Sequence, residues 1–485
     1  VSAVTWLVLA VHLVLAVVSA GHALLNKRDP RASLGWIAVC LAYPIVGPLL
    51  YYLLGINRLQ TRAHHLKGTP TRRPIAASER PETIRTTAID TLPAVLLGQD
   101  SLAALARSSG AVSPRPLVEN NTVEPLFSGD GAYAAMLDAI AQARHSVCLA
   151  SYIFETDATG QAFIDALAAA SARQVEVRVL LDGVGELYSF PRASRRFRKR
   201  GVRVARFLPP RLLPPAAHMN LRNHRKLLLV DDDLGFTGGM NIGDRHLATR
   251  PNGQPGISDI HFRLRGPVID QLQQVFDEDW SFVTGEALAE AEPVARDHGG
   301  TRDTAICRVV TDGPNEDLDK LIMILTGAVA LSRRRVAIMT PYFLPPPTLI
   351  NALQAAALRG VDVAVILPRV NNQPLTHWAS RNMLWELLQF GVRIYYQPPP
   401  FAHSKLLLID DVYAQIGSAN LDPRSLRLNF ELIVEVFDHS FITVMGEHFE
   451  RIRAASTEET LAGVDARSLP VRVRDAFAWL LSPYL

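Results

Sequence analysis

The chain has 485 residues, enough at roughly 150 residues per domain for about three domain-sized pieces. Hydrophobic residues make up 48% and charged residues 20%, which excludes a disordered chain, and the mean hydropathy of +0.11 calls for apolar surface beyond an ordinary core. A net charge of +3 from 50 basic and 47 acidic residues excludes a chain-wide nucleic-acid-coating role, and three widely spaced cysteines, Cys40, Cys148 and Cys307, exclude a disulfide framework or a cysteine-based metal site.

No charged residue precedes Lys27, and residues 4–20 form an apolar run suited to a membrane helix. A second uncharged window covers 32–57, with Trp36 near one end and Tyr51 and Tyr52 near the other, where headgroup-level aromatics belong. Pro44, Gly47 and Pro48 interrupt it, so a kink or a re-entrant path is open. Together the two windows predict a transmembrane helical hairpin over 1–57. The competing reading is a cleaved leader ending at Val18-Ser19-Ala20; the missing N-terminal cation and the second apolar run favour the hairpin. Five cations just after the hairpin (Arg58, Arg62, Lys67, Arg72, Arg73) against three in its turn (Lys27, Arg28, Arg31) place the bulk of the chain on the cytoplasmic side. Residues 58–115, rich in Arg, Thr, Ala, Ser and Pro, read as a linker with some local structure.

From there the chain repeats itself. The strand-like run VEVRVLLD (175–182) has its counterpart in VDVAVILP (361–368), and GVRVARF (201–207) in GVRIYYQ (391–397), each after a helical stretch. Strands alternating with helices predict α/β layering around a mostly buried mixed sheet in each of two pseudo-symmetric halves, 116–295 and 296–485.

Each half then presents the same polar set. The first has His224, Lys226, Asp231 and, beyond Gly238-Gly239, Asn241; the second has His403, Lys405, Asp410 and, beyond Gly417-Ser418, Asn420, every member 179 residues on. The chain has only six lysines, and two of them sit here. A His and a Lys two apart on a strand share a face. There a neutral imidazole serves as nucleophile and an ammonium as a point charge for a phosphate oxygen, while the glycines let the backbone turn tightly and bring an Asn amide to the same anion.

These paired H-x-K-x4-D motifs resemble the HKD motifs of the phospholipase D superfamily. The flanking text RNHRKLLLVDDDLGFTGGMNIGD (222–244) and FAHSKLLLIDDVYAQIGSANLDPRSLRLNFE (401–431), the hairpin, PYFLP (341–345) and the closing LLSPYL (480–485) are similar to bacterial cardiolipin synthases. Departures at Ser404, Asn371-Asn372 and Pro345–Pro347 bear on acceptor preference. The resemblance implies two phospholipase D-like α/β domains behind a membrane hairpin. It also implies transfer of a phosphatidyl group from one phosphatidylglycerol to another through a phosphatidyl-histidine, with release of glycerol and no metal or cofactor. His224 is then the nucleophile and His403 the acid/base, an assignment that pseudo-symmetry leaves reversible. Lys226, Lys405, Asn241 and Asn420 would hold the phosphoryl oxygens, and the family pattern places orienting carboxylates at Asp259 and Glu431, each serving the histidine of the opposite half. Asp231 and Asp410 complete the motifs, with the strand-to-turn geometry as their expected task. The implied partners are phosphatidylglycerol, other anionic phospholipids and the membrane, without nucleic acid, and the implied location is the bacterial inner membrane, multi-pass, with the catalytic halves cytoplasmic. A phospholipase D using water, a transferase using another alcohol, and a membrane-tethered nuclease are the alternatives. The basic run 192–200 (RASRRFRKR), with Arg203, Arg206 and Arg211, suits either anionic headgroups or a solvated helix face. Trp378 and Trp385 are expected in the core.

Overall fold

The computed structural model describes residues 3–27, 30–43, 45–55, 100–113, 115–210, 221–286, 305–314 and 319–482. They fall into two compact units, Val1–Leu66 and Lys67–Leu485.

In the first unit, helix α1 (Ala3–Asn26) packs against α2 (Pro30–Ala42), and a short α3 (Val46–Leu50) runs into a π-helical turn at Tyr51–Gly55. Ala23, Cys40 and Tyr51 form the small buried seam, with Trp36 and Ile37 against it. Tyr51 Oη lies 2.8 Å from His22 Nδ1, and Ser33 Oγ donates to the Ala23 carbonyl at 3.2 Å. The expected second span is corrected here. Helix α2 stops at Ala42 after 13 residues, about 20 Å, short of the roughly 30 Å of a bilayer core. Pro48 and the proline at position 44 of the sequence each lack an N–H to continue the ladder. Gly47 folds so closely onto α2 that a Cβ there would lie 2.2 Å from the Val39 carbonyl oxygen. Among the described residues no helix is long and apolar enough to cross a membrane. The side chains of residues 7–9 in the first expected span, and residues 58–99 of the expected linker, lie outside the described residues.

The second unit begins with helix Asp100–Val112, inside the stretch expected to be linker. Its Leu105 and Ala106 join the core of the second half beside Leu321 and Leu325, so the last part of that stretch belongs to the folded body.

The two halves run the same course. In the first, strands are β1 (Val118–Phe127), β2 (Ser146–Ser151), β3 (Glu176–Asp182), β4 (Arg203–Phe207), a two-residue β5 (Arg222–Asn223), β6 (Leu227–Val230), β7 (Leu234–Gly238) and β8 (Ile260–Arg265). In the second they are β9 (Ala305–Asp312), β10 (Arg335–Met339), β11 (Asp362–Pro368), β12 (Arg393–Gln397), β13 (Leu406–Ile409), β14 (Tyr413–Gly417), β15 (Asn429–Phe437) and a short β16 (Thr457–Glu459). The order reads β16-β12-β11-β10-β13-β14-β15-β9-β1-β8-β7-β6-β2-β3-β4. It is a palindrome of equivalent strands about the β9–β1 contact. In each half three strands are parallel (β2-β3-β4, β10-β11-β12) and the remaining pairings antiparallel. The sequence predicts one mixed sheet per half; the structure fuses them, because β1 pairs with β8 on one side and β9 on the other. That pairing satisfies edge N–H and C=O groups that separate sheets would leave open. Helices cover the sheet, so β6, β9, β13 and β15 are buried along their whole length, as strands sandwiched on both faces must be. Trp378 packs against the second core as expected; Trp385 does not, being 43% exposed.

Candidate active site

Both motif histidines stand just before a buried strand, β6 or β13, and each is stitched to the opposite half. β5 pairs in parallel with the start of β15, and the His224 backbone N–H donates to the Phe430 carbonyl at 3.0 Å. That register sets His224 beside the next residue of β15, Glu431, with Nδ1 3.0 Å from Oε2. The reciprocal stitch joins Ser258 to Ala402, and the His403 N–H donates to the Ser258 carbonyl at 2.7 Å. His403 Nδ1 therefore lies 2.8 Å from Asp259 Oδ2. Each carboxylate fixes Nδ1 as the protonated nitrogen, leaving Nε2 as the reactive atom. All four side chains are buried.

The lysines share those surroundings. Lys226 Nζ donates to the His224 carbonyl and Lys405 Nζ to the His403 carbonyl, both at 2.6 Å, and Lys226 stands 5.4 Å from the centroid of the Tyr152 ring. Burial pushes the Lys226 ammonium down to about 7 and that of Lys405 to about 8, since a low-dielectric site disfavours charge. Both imidazoles are lowered too: His224 by burial and Lys226, against the pull of Glu431, and His403 by burial and both lysines. The empty site thus holds neutral imidazoles beside easily discharged ammoniums, an arrangement that an incoming phosphodiester anion stabilises.

The rest of each motif does different work. The Asp231 carboxylate accepts the N–H groups of Arg144, His145 and Ser146 at 2.7–2.9 Å. Asp410 accepts those of Arg333, Arg334 and Arg335, the shortest at 2.7 Å. Both aspartates have left-handed backbone, φ 53° and 52°, and end β6 and β13 at the pole away from the histidines. They organise the loops before β2 and β10 and do not line the cavity between the imidazoles, which corrects their grouping with the catalytic residues. Asn241 does line it; its Oδ1 accepts the Ile153 N–H at 3.1 Å, which turns its amide N–H groups outward. Asn420 lines it too, with Nδ2 on Ser425 Oγ at 3.2 Å and Oδ1 without a partner among the described residues. Gly417 explains the tight turn: at φ 144° a Cβ would lie 2.3 Å from the Leu432 carbonyl oxygen.

Other residues of the site carry no motif in the sequence. Tyr152, Tyr342 and Phe401 wall the cavity, with ring centroids 5.1, 6.3 and 5.9 Å from those of His224, His403 and His403. His246 also lines it, buried, its ring centroid 6.1 Å from that of His403 and neither nitrogen bonded among the described residues. Its counterpart 179 residues on is Ser425, a non-identity that the repeat offset could have flagged. Arg225, between the motif His and Lys, points away to a buried ion pair with Asp279 at 2.7 Å and anchors the strand from behind. Among the described residues no group of His, Cys, Asp and Glu is arranged to hold a metal ion.

A family described as cardiolipin synthase, phospholipase D-like domain, matches residues 136–280 and 325–453, and a phospholipase D-nuclease N-terminal family matches 5–55. The chain is 32% identical over 480 residues to cardiolipin synthase A of Pseudomonas putida, covering 98% of this chain and 97% of that one. It is 29% identical over 466 residues to the major cardiolipin synthase of Bacillus subtilis, covering 95% of each. In fold it is similar to a phosphatidylserine synthase of Haemophilus influenzae, with a TM-score of 0.62 at 15% identity over 79% of this chain and all of the other. With both motif regions inside the matched segments and the likeness running nearly end to end, the chain belongs to the cardiolipin synthase family of phospholipase D-like proteins.

Proposed function

We propose that this chain, a phosphatidyltransferase of the phospholipase D superfamily, joins two phosphatidylglycerol molecules into cardiolipin and releases glycerol. The observation that carries the reading is the crossed pair His224–Glu431 and His403–Asp259, two oriented imidazoles beside two ammoniums in one cavity. In the first step His224 Nε2 attacks phosphorus, the P–O bond to glycerol breaks, and His403 Nε2–H supplies the proton that glycerol leaves with. In the second, the acceptor hydroxyl gives its proton to His403 Nε2, its oxygen bonds to phosphorus, and the P–N bond to His224 breaks. The first step needs a protonated His403. The phosphodiester charge, offsetting Lys226 and Lys405, raises that imidazole from its depressed resting value. Lys226, Lys405 and the Asn241 amide hold the phosphoryl oxygens as charge shifts onto them, and Asn420 completes the cradle.

Membrane attachment is assigned to the first unit. Its support is composition and exposure: no charge before Lys27, and Leu13, Leu24 and Leu34 each more than half exposed on a helical pair whose own core is three residues. The bilayer is the solvent that such a surface fits.

The test is to reconstitute the purified protein in vesicles with headgroup-labelled and acyl-labelled phosphatidylglycerol and identify both products. Cardiolipin with free glycerol in equal amounts is expected; phosphatidic acid as the only lipid product would replace transfer by hydrolysis.

A further inference from the structure

The loops that leave β3 and β11 occupy equivalent places in the two halves and meet the same cavity. Tyr188 lines it from the first, and Asn372 and Thr376 from the second. Within two positions of these, apolar side chains stand in water: Phe190 is 95% exposed and Leu187 47%, while across the cavity Val370 is 53% and Leu375 43% exposed. Single exposed apolar residues mean little, but a cluster on both lips of one cavity marks a contact surface. A basic segment follows Phe190 directly. In and beside helix Ala193–Lys199, Arg192, Arg195, Arg198 and Lys199 are exposed, and among the described residues none of the four meets a carboxylate. Their neighbours differ: Arg200 pairs with Asp165 at 2.8 Å and Arg196 donates to Gln161 at 2.7 Å. Four cations without partners beside an apolar lip complement a surface that is anionic above and apolar beneath. They would repel the same patch on a second copy of the chain.

We propose that the lip Leu187–Phe190, with the basic helix behind it, is a membrane contact separate from the N-terminal unit, docking the cavity directly on an anionic bilayer. The apolar tips enter the headgroup region and the cations lie over lipid phosphates, so that a phospholipid headgroup passes from the bilayer into the cavity without crossing bulk water. The identity of that lipid rests on the function proposed above, but the contact itself does not.

The test places an environment-sensitive fluorophore on the variant Phe190→Cys in the full chain; Cys40, Cys148 and Cys307 are all buried, so the label goes to position 190. After reconstitution, emission is expected to shift to the blue and to be quenched by acyl-brominated phosphatidylglycerol. Quenching should be at least twofold stronger than with acyl-brominated phosphatidylcholine, and the added changes Arg195→Glu, Arg198→Glu and Lys199→Glu should erase that difference. Water-like emission untouched by brominated lipid overturns the proposal, as does a blue shift that depends on protein concentration in lipid-free detergent, which would mark a second copy as the occupant. Because quenching needs no turnover, a protein that is quenched but makes no cardiolipin would keep the contact and lose the proposed function.

Discussion

Glu431 and Asp259 serve opposite histidines from equivalent strands, yet their supports have diverged. Glu431 receives the Ser418 hydroxyl at 2.6 Å, the Ser425 hydroxyl at 2.7 Å and the Asn429 amide at 3.1 Å in addition to His224. Burial pushes its carboxyl up, but His224, Lys226 and Ser418 outweigh burial and hold it below the usual glutamate value. In the first half, Gly239 and His246 stand where Ser418 and Ser425 stand in the second. A Cβ on Gly239 would lie 2.7 Å from Asp259 Oδ2, so no hydroxyl fits there. Asp259 accepts the Ile260 N–H at 2.8 Å and faces His403, and burial raises it above the usual aspartate value despite Lys405. A carboxylate pinned as an anion suits the histidine that must carry positive charge as a phosphoryl adduct. One that is more basic suits the histidine that gains and loses a proton each turnover. The divergence therefore favours His224 as nucleophile and His403 as acid/base, where the repeat by itself is indifferent.

The largest effect that tests this difference comes from the histidines. Either His224→Ala or His403→Ala should lower turnover of phosphatidylglycerol by about 10⁴-fold or more, as loss of a nucleophile or its acid/base partner does. With a donor whose leaving group needs no proton, His403→Ala should still accumulate a phosphatidyl adduct, detectable by mass spectrometry, and His224→Ala should not. An adduct on His403 in the His224 variant would reverse the assignment. Next come Glu431→Gln and Asp259→Asn, each expected to cost about 10²–10⁴ in turnover, with stability moving in opposite directions. Glu431, depressed in the folded state, contributes stability that is present above its unfolded pKa of about 4.3 and lost as pH falls through the lower folded value. Asp259, raised in the folded state, lowers stability as pH rises from about 3.9 through its folded value. At pH 7 the Gln variant should therefore lose about 1.5–3 kcal/mol, and the Asn variant should lose less than that or gain, as read from denaturant midpoints.

The histidines, lysines, carboxylates and asparagines of this cavity were legible because their chemistry depends on short-range spacing. Two residues along a strand share a face, and a repeat offset of 179 residues displays the same set twice. What was not legible is what the other half supplies. The fusion of the two sheets rests on β1 meeting β9, and Arg225 pairing with Asp279 rests on a helix packing behind β6; neither leaves a periodic signal. Asp231 and Asp410 belong to the repeated pattern as fully as the histidines do, so sequence alone could not separate a loop organiser from a member of the site. Helix Asp100–Val112 read as linker because SSG interrupts its only apolar stretch, and its stability comes from Leu105 and Ala106 reaching the second core. The second membrane window failed as a continuous helix at the prolines and glycine the sequence already showed, since composition reports apolarity and not the path of the backbone.

The smallest predicted effect is the sharpest probe of the comparison, because it removes one hydroxyl and leaves every catalytic group in place. Ser418→Ala takes the 2.6 Å donor from Glu431 while Ser425, Asn429 and His224 stay on it. The anion loses one hydrogen bond, so its carboxyl rises towards the ordinary glutamate value. Glu431 ionisation still stabilises the fold at neutral pH, but by less, and the acid-side loss of stability should begin at a higher pH than in the parent chain. At pH 7 the cost should be about 1–2 kcal/mol, within the range for a hydrogen bond to a charged group less what the remaining donors recover. Turnover should fall roughly tenfold or less, an amount worth about 1.4 kcal/mol of transition-state stabilisation. Ser425→Ala should act in the same direction. Denaturant unfolding from pH 3 to 7 reads the shift directly. If the acid-side loss stays where it was in both serine variants, the hydroxyls do not set the Glu431 charge, and the distinction between the two carboxylates must come from burial alone.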